Sequence, residues 1–96
     1  MTKADLISEI TEKTGVEKIA VQATVESLMT SIIDAMESGE NVYLRGFGSF
    51  VVKTRKAKKG RNISQNVTID IPAHNIPSFK PAKVFLEEVK TKVAVN

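Results

Sequence analysis

A cationic run from residue 53 to 61 holds the side chains of this chain that are best suited to binding another molecule. Six of its nine residues are Lys or Arg, and none is acidic. Such a run attracts a phosphate backbone whatever the base sequence, because each neutralised phosphate releases condensed counterions. Ile63 follows in the polar stretch 62–66, and an apolar tip beside positive charge is typical of a wedge that enters a base stack. The alternative is a solvated face or a disordered tail.

Charge is distributed unevenly along the chain, although its net value over 96 residues is only +3. Residues 1–40 contain three basic residues against eight acidic ones, whereas residues 41–96 contain eleven against three. This asymmetry predicts a polyanionic partner for the second half.

Composition argues against several other classes of protein. There is no cysteine, which excludes disulfides and thiolate metal sites. His74 is the single histidine and has no nearby carboxylate cluster, and Glu87 and Glu88 are helix neighbours that point different ways. We therefore predict no enzymatic activity, no metal and no cofactor. No apolar run approaches the ~20 residues that span a bilayer, and no signal-peptide core is present, so we expect a soluble intracellular protein without a membrane partner.

The first half reads as two helices. Thr2 and Asp5 form a capping-box pattern before a short helix at about 3–13, which Gly15 ends. A second helix is expected at about 18–38, ending at Gly39. Its wide apolar face recurs at helical spacing and comprises Val21, Val25, Leu28, Met29, Ile32, Ile33 and Met36.

The second half changes to strand periodicity. We predict a strand at 41–45, a bend at Gly46 and Gly48, and a long strand that enters the cationic run. A returning strand at 67–71 would complete a hairpin arm over 53–70, about 30 Å long, with 60–66 as its turn. Pro72 and Pro77 are expected to bracket an irregular segment. Pro81 is expected in the first turn of a last helix.

The ~75 residues outside the arm are marginal for a single core, so a homodimer sharing one core is expected. Four phenylalanines sit in apolar patterns and are interpreted as core residues rather than as stacking platforms for bases. They are Phe47, Phe50, Phe79 and Phe85. Tyr43 is expected to be half-buried.

Four motifs then occur in order: Arg45 to Phe50, Gly60-Arg61-Asn62, Ile71-Pro72-Ala73, and Pro77 to Pro81 with Lys83. In this arrangement the chain resembles the bacterial DNABII family of HU and integration host factor proteins over nearly its whole length. The resemblance implies an α+β intertwined dimer with a helical body, a small antiparallel sheet and two protruding β-ribbon arms that enter the minor groove. Residues 1–96 would then form one domain: a helical dimerisation half (1–40), the sheet and arm (41–80) with its tip at 60–66, and a C-terminal helix (81–96).

The arm tip departs from the family pattern. Ile63 occupies the position of the usual proline wedge, and Asn66 that of a glycine. Isoleucine can still unstack bases, but it lacks the fixed φ of proline, so the tip should be less preorganised. Alternatively, Ile63 packs against its own arm.

The resemblance extends the candidate DNA contacts beyond the cationic run. They are Lys3, Arg45, Gly46, Gly48, Lys53, Arg55, Lys56, Lys58, Lys59, Arg61, Asn62, Ile63, Lys80 and Lys83. Two of these assignments have alternative interpretations. Lys3 could instead be a solvated surface residue, and Gly46 and Gly48 could serve only to form a tight bend.

The expected function is that of a histone-like protein of the bacterial cytoplasm and nucleoid, which bends and compacts double-stranded DNA and prefers bent, nicked or distorted duplexes. The minor groove distinguishes mainly A·T from G·C, so little sequence specificity is expected. The alternatives are a site-specific protein resembling integration host factor and an RNA-binding module.

Overall fold

The computed structural model describes residues 1–62, 64–65 and 67–95, without the side chain of Asn62. Ile63 and Asn66 lie outside these residues. The elements follow the order α1 (Lys3–Thr14), α2 (Lys18–Glu37), β1 (Val42–Leu44), β2 (Gly48–Arg55), β3 (Lys58–Asn62), β4 (Val67–Ile71), β5 (His74–Pro81) and α3 (Lys83–Lys92). The chain divides into two compact units, Met1–Ala35 and Met36–Asn96. No helix among the described residues has the length and apolar character needed to cross a membrane.

The N-terminal unit contains α1 and most of α2. The predicted capping box is confirmed: Asp5 N–H donates to Thr2 Oγ1, and Thr2 N–H donates to the Asp5 carboxylate. Gly15 ends α1 at φ 74°, a left-handed value that glycine adopts without the Cβ penalty. Ile7 and Val21 are the buried hydrophobic residues among those described, so most of the predicted apolar face of α2 stays accessible.

The strands form two antiparallel sheets. β2 lies at the centre of a three-stranded sheet in the order β1-β2-β5, while β3 and β4 form a separate two-stranded ribbon. The returning strand at Val67–Ile71 has the predicted bounds. Together with the three helices, these sheets give the expected α+β class.

Two predictions about the prolines are wrong. The segment between Pro72 and Pro77 is not irregular, because residues 74–81 form β5 and pair with the whole length of β2. Pro77 lies opposite Val52 and is tolerated because β5 is an edge strand, where a missing N–H need not break the sheet. Pro81 ends β5 rather than starting a helix; α3 begins at Lys83, with Ala82 as its N-cap.

The arm also differs from the continuous hairpin expected over 53–70. Lys53 to Arg55 pair with β5 rather than with β4, and residues 56–57 separate β2 from the ribbon. The predicted turn at 60–66 is too long, because residues 60–62 belong to β3 and pair with β4. The arm therefore has a root on the main sheet and an outer ribbon, a division that follows from the unrecognised strand β5.

The four phenylalanines, predicted to be core residues, form an aromatic cluster on one side of the main sheet, but none of them is buried in the single chain. Phe79 lies at the centre, with ring centroids 4.9 Å from Phe50, 5.2 Å from Phe47 and 6.4 Å from Phe85. The cluster is not closed, because Phe47 is 47% exposed and Phe79 38%. The expectation that Tyr43 is half-buried is wrong, since it is 70% exposed on the opposite face of β1 from this cluster.

Candidate nucleic-acid interface

The strand register divides the main sheet into an apolar and a polar face. Residues paired across neighbouring strands share a face, and successive residues alternate between faces. Phe50 pairs with Val42 on β1 and with Phe79 on β5, so these three residues form an apolar row across one face of the sheet. Ser49 pairs with Tyr43 and Lys80, so a polar row crosses the opposite face.

The arm root continues this polar face. Lys53 and Arg55 lie four and six residues beyond Ser49 on β2, and an even spacing along a strand keeps side chains on one face. Both are exposed. On the other face, Thr54 Oγ1 donates to Asn75 Oδ1 at 2.7 Å and ties the two strands of the root together. Three predicted contacts, Lys53, Arg55 and Lys80, therefore share one face.

An open groove of about 500 Å³ lies at the end of this face. Five of the predicted residues line it: Arg45, Gly46, Gly48, Lys80 and Lys83. Tyr43, Leu44, Ser49, Pro81 and Ala82 complete the lining. The three cations among them, Arg45, Lys80 and Lys83, come from two segments 35 residues apart in sequence, and the fold collects them around one concave surface.

A tight turn shapes one wall of the groove. Phe47 N–H donates to Leu44 O at 2.9 Å, and Gly46 adopts φ 81°, a conformation that favours glycine. Phe47 O then accepts a hydrogen bond from Ala82 N–H at 2.9 Å. This bond fixes the turn that carries Arg45 against the start of α3.

The start of α3 supplies positive potential to the same groove. Ala82 forms no side-chain cap hydrogen bond, so the first N–H groups of this helix have no side-chain acceptor there. The N-terminus of a helix carries a partial positive charge and binds phosphate through such groups. With Arg45, Lys80 and Lys83 around it, this surface is suited to phosphate oxygens.

Packing accounts for Gly48. A Cβ atom there would lie 2.5 Å from Phe79 Cζ and 2.6 Å from Lys80 O, closer than real Cβ contacts allow. Gly46 is accounted for by its positive φ. The bend and the packing therefore suffice to explain both glycines, and their contact with a phosphate backbone stays a prediction.

The outer ribbon carries cations on both faces. Lys59 and Arg61 lie opposite Asp70 and Thr68 on one face. On the other, Lys58 lies opposite Ile71, and Gly60 opposite Ile69. Gly60 fits close to the Ile71 side chain, since a Cβ there would meet its terminal methyl at 2.9 Å.

The remaining predicted residues fall elsewhere. Lys56 lies in the break between β2 and β3, and Asn62 ends β3. Ile63 lies outside the described residues. Lys3 belongs to the N-terminal unit, where its Nζ is 3.1 Å from Glu26 Oε1. The hydrogen bond from Lys3, followed by one from Gln22, lowers the pKa of Glu26, so Lys3 has an intramolecular partner rather than being simply solvated.

Sequence reasoning missed Tyr43 and Ser49 as groove residues. Alternation of Val42, Tyr43 and Leu44 places Tyr43 on the face opposite its apolar neighbours. That signal existed in the sequence, but it could not identify which other strands share the face.

Comparisons with known proteins identify the family of this chain. Residues 1–90 match the family model described as bacterial DNA-binding protein. The SPbeta prophage-derived DNA-binding protein HU 2 of Bacillus subtilis is 46% identical over 96% of this chain and 100% of its own length. The DNA-binding protein HU of Thermus thermophilus is 40% identical over 94% of this chain and 93% of its own.

Solved structures give the same result for the fold. The Anabaena HU–DNA cocrystal structure has a TM-score of 0.89 at 40% identity, covering 93% of this chain and 97% of that one. HU from Thermotoga maritima has a TM-score of 0.66 at 28% identity, covering 93% and 98%. On the strength of a match that spans nearly the full chain, this protein belongs to the bacterial DNA-binding protein family, which includes HU.

Proposed function

We propose that this chain is a histone-like protein that binds double-stranded DNA, enters its minor groove and bends it with little sequence specificity. The polar sheet face carries the proposal: Lys53, Arg55 and Lys80 share it, and the groove at α3 adds Arg45 and Lys83. A row of cations that leads from an open groove to a ribbon suits an extended phosphate backbone better than a small ligand. The HU relatives are named DNA-binding proteins, and one was crystallised with DNA.

The outer ribbon is proposed to enter the minor groove. Its five-residue strands span about 17 Å, and cations on both faces can reach both phosphate rows. Because that groove is only ~6 Å wide, entry implies widening and bending of the duplex. Smooth bending costs on the order of 1–6 kcal/mol, which counterion release must offset.

Ile63 is proposed to add a wedge at the ribbon tip. In the sequence it directly follows Asn62, which forms the last ribbon pair with Val67, and an aliphatic side chain can insert between base steps. Arg61 and Asn62, next to it in sequence, are proposed to contact base edges. These contacts would distinguish mainly A·T from G·C, which favours general packaging over site-specific assembly.

A second copy of the chain is proposed to cover the exposed apolar residues. Of the eleven large apolar side chains among the described residues that are between 38% and 55% exposed in the single chain, eight lie on the helices or in the aromatic cluster: Leu6, Leu28, Met29, Ile33, Phe47, Phe79, Leu86 and Val89. Completing the burial of a half-exposed side chain gives about 1 kcal/mol. Eight would give roughly 8 kcal/mol before the cost of association, comparable to the stability of a whole small domain. A homodimer would also supply two ribbons.

The proposal places the protein in the bacterial cytoplasm, on the nucleoid, with an architectural rather than an enzymatic role. Its first test is the salt dependence of binding to a random-sequence duplex. We expect the logarithm of the binding constant to fall linearly with the logarithm of salt concentration, by about 0.9 per phosphate neutralised. A flat response would exclude backbone binding, and equal affinity for duplex RNA would contradict a DNA-bending role.

The second test distinguishes the contribution of the Ile63 wedge from that of the cationic side chains. It measures DNA bending by energy transfer between dyes at the two ends of a short duplex. Ile63→Ala is expected to reduce bending more than affinity, whereas Arg61→Ala should weaken both. Lys90→Ala is the matched control for charge, because Lys90 lies in the last turn of α3, away from the groove. An unchanged bend angle in Ile63→Ala would remove the wedge from the proposal.

A further inference from the structure

The geometry points to Tyr43 as a further phosphate-binding residue, with Asn41 orienting its hydroxyl group. This inference rests on the proposed DNA binding and adds a neutral hydrogen-bond donor to a site otherwise described by its charges. Tyr43 lines the groove together with Arg45, Lys80 and Lys83. Its 70% exposure leaves the ring open to solvent and to a ligand.

The register places Tyr43 beside the cations. Tyr43 pairs with Ser49, which pairs in turn with Lys80, so the three side chains form one row across β1, β2 and β5. Directly opposed residues on antiparallel strands have Cβ atoms about 4.5–5.5 Å apart. Tyr43 therefore lies roughly 10 Å from Lys80 across the sheet, a separation that one phosphate backbone strand can bridge.

The hydrogen bonds of Asn41 determine the role of the Tyr43 hydroxyl. Val52 N–H donates to Asn41 Oδ1 at 2.9 Å, and this fixes the amide orientation because an NH₂ group cannot accept that bond. Asn41 Nδ2 then donates to the Tyr43 oxygen at 3.3 Å. With its oxygen already accepting, the hydroxyl has its own proton left to donate. Phosphate oxygens are acceptors only, so they are the appropriate ligand for that donor.

The same two bonds make Asn41 a positioning residue. It precedes β1 and reaches across to Val52, one residue before the arm root begins at Lys53. At this point β2 has no paired residue on the β1 side, because the β1 register ends at Val42 opposite Phe50. The Asn41 amide replaces the missing strand neighbour and directs its other end at Tyr43.

The test measures duplex affinity by fluorescence anisotropy, with a 30-base-pair random-sequence DNA as the probe and Tyr43→Phe as the main variant. This change removes only the hydroxyl group. We expect affinity to fall about three- to tenfold for each Tyr43 hydroxyl that contacts a phosphate, as for loss of one ordinary hydrogen bond. The salt slope should stay unchanged, because no cation is lost. Arg45→Gln should instead reduce the slope by about 0.9 for each Arg45 that contacts a phosphate, and therefore by about 1.8 in the proposed homodimer.

Asn41→Ala distinguishes positioning from a structural effect. It should weaken binding in the wild-type background and have no further effect on affinity in the Tyr43→Phe background, because Asn41 acts through the hydroxyl. Equal affinity of Tyr43→Phe and wild type would overturn the assignment, as would additive effects of the two substitutions. If the wild-type protein itself did not bind the duplex, the proposed function would fail instead, so the two failures are distinguishable.

Discussion

Gly48→Ala offers a strict test of how the groove is built. The added Cβ would lie 2.5 Å from Phe79 Cζ and 2.6 Å from Lys80 O, whereas ordinary contacts lie at about 3.4–4 Å. Both neighbours, or the backbone of Gly48 itself, must therefore move by roughly an ångström. Lys80 O belongs to the backbone of β5, and Phe79 is held at the centre of the aromatic cluster, so neither can yield freely.

Overpacking of this kind costs about 1–3 kcal/mol of unfolding free energy. For a domain of this size, each 1 kcal/mol shifts the melting temperature by about 4–8 °C. Urea denaturation at one fixed protein concentration measures the loss directly, since the proposed dimer makes stability depend on concentration. Phe79→Leu should partly relieve the clash, so a double-mutant cycle should give a coupling of at least about 0.5 kcal/mol.

Gly46→Ala is the matched control. Its Cβ would meet nothing within 4 Å, but φ there is +81°, so the cost of about 1–2 kcal/mol is conformational. It should therefore be independent of Phe79→Leu. If Gly48→Ala remained within about 0.5 kcal/mol of wild type, or showed no coupling to Phe79, the packing explanation for Gly48 would be refuted.

Three further predictions concern the helices and the ribbon. Thr2→Ala should lower the unfolding free energy by about 1 kcal/mol through loss of the α1 cap, whereas Thr30→Ala on α2 should be nearly neutral; equal losses in urea melts would contradict the capping role. Gly60→Ala should change stability by less than about 0.5 kcal/mol, because the methyl it would meet is the flexible end of Ile71; a large drop in melting temperature would show a rigid ribbon contact. Lys3 lowers the pKa of Glu26, so their interaction stabilises the fold at neutral pH and is lost as acid protonates Glu26. NMR titration should show the pKa of Glu26 rising in Lys3→Ala, and an unchanged value would remove Lys3 as the cause.

Local sequence patterns predicted the elements whose determinants are close together along the chain. Thr2 and Asp5 satisfy each other three residues apart, and β4 follows from the alternation of Val67, Ile69 and Ile71. The cationic character of residues 53–61 and the segregation of charge between the two halves are also properties of composition. The family resemblance added the intertwined form of the expected dimer and the entry of its arms into the minor groove, which periodicity alone does not specify.

Strand β5 and the polar sheet face depended on tertiary structure. Two prolines and a mixed pattern concealed β5, because its strand conformation depends on pairing with β2, whose paired residues are 19 to 33 positions away in sequence. The prediction of a half-buried Tyr43 failed for a related reason: burial depends on what packs against a face, and α3 and the aromatic cluster cover only the other one.

The sequence by itself determined which residues carry charge, where the first two helices begin and that a ribbon returns on itself, because these properties depend on neighbours within a few positions. Tertiary structure decided which of those charges act together. Arg45 lies 35 residues before Lys80 in sequence, and only the register of β1, β2 and β5 brings it to one groove with Lys80 and Lys83. Register is fixed by long-range burial of one sheet face, a free energy that no local stretch of sequence contains.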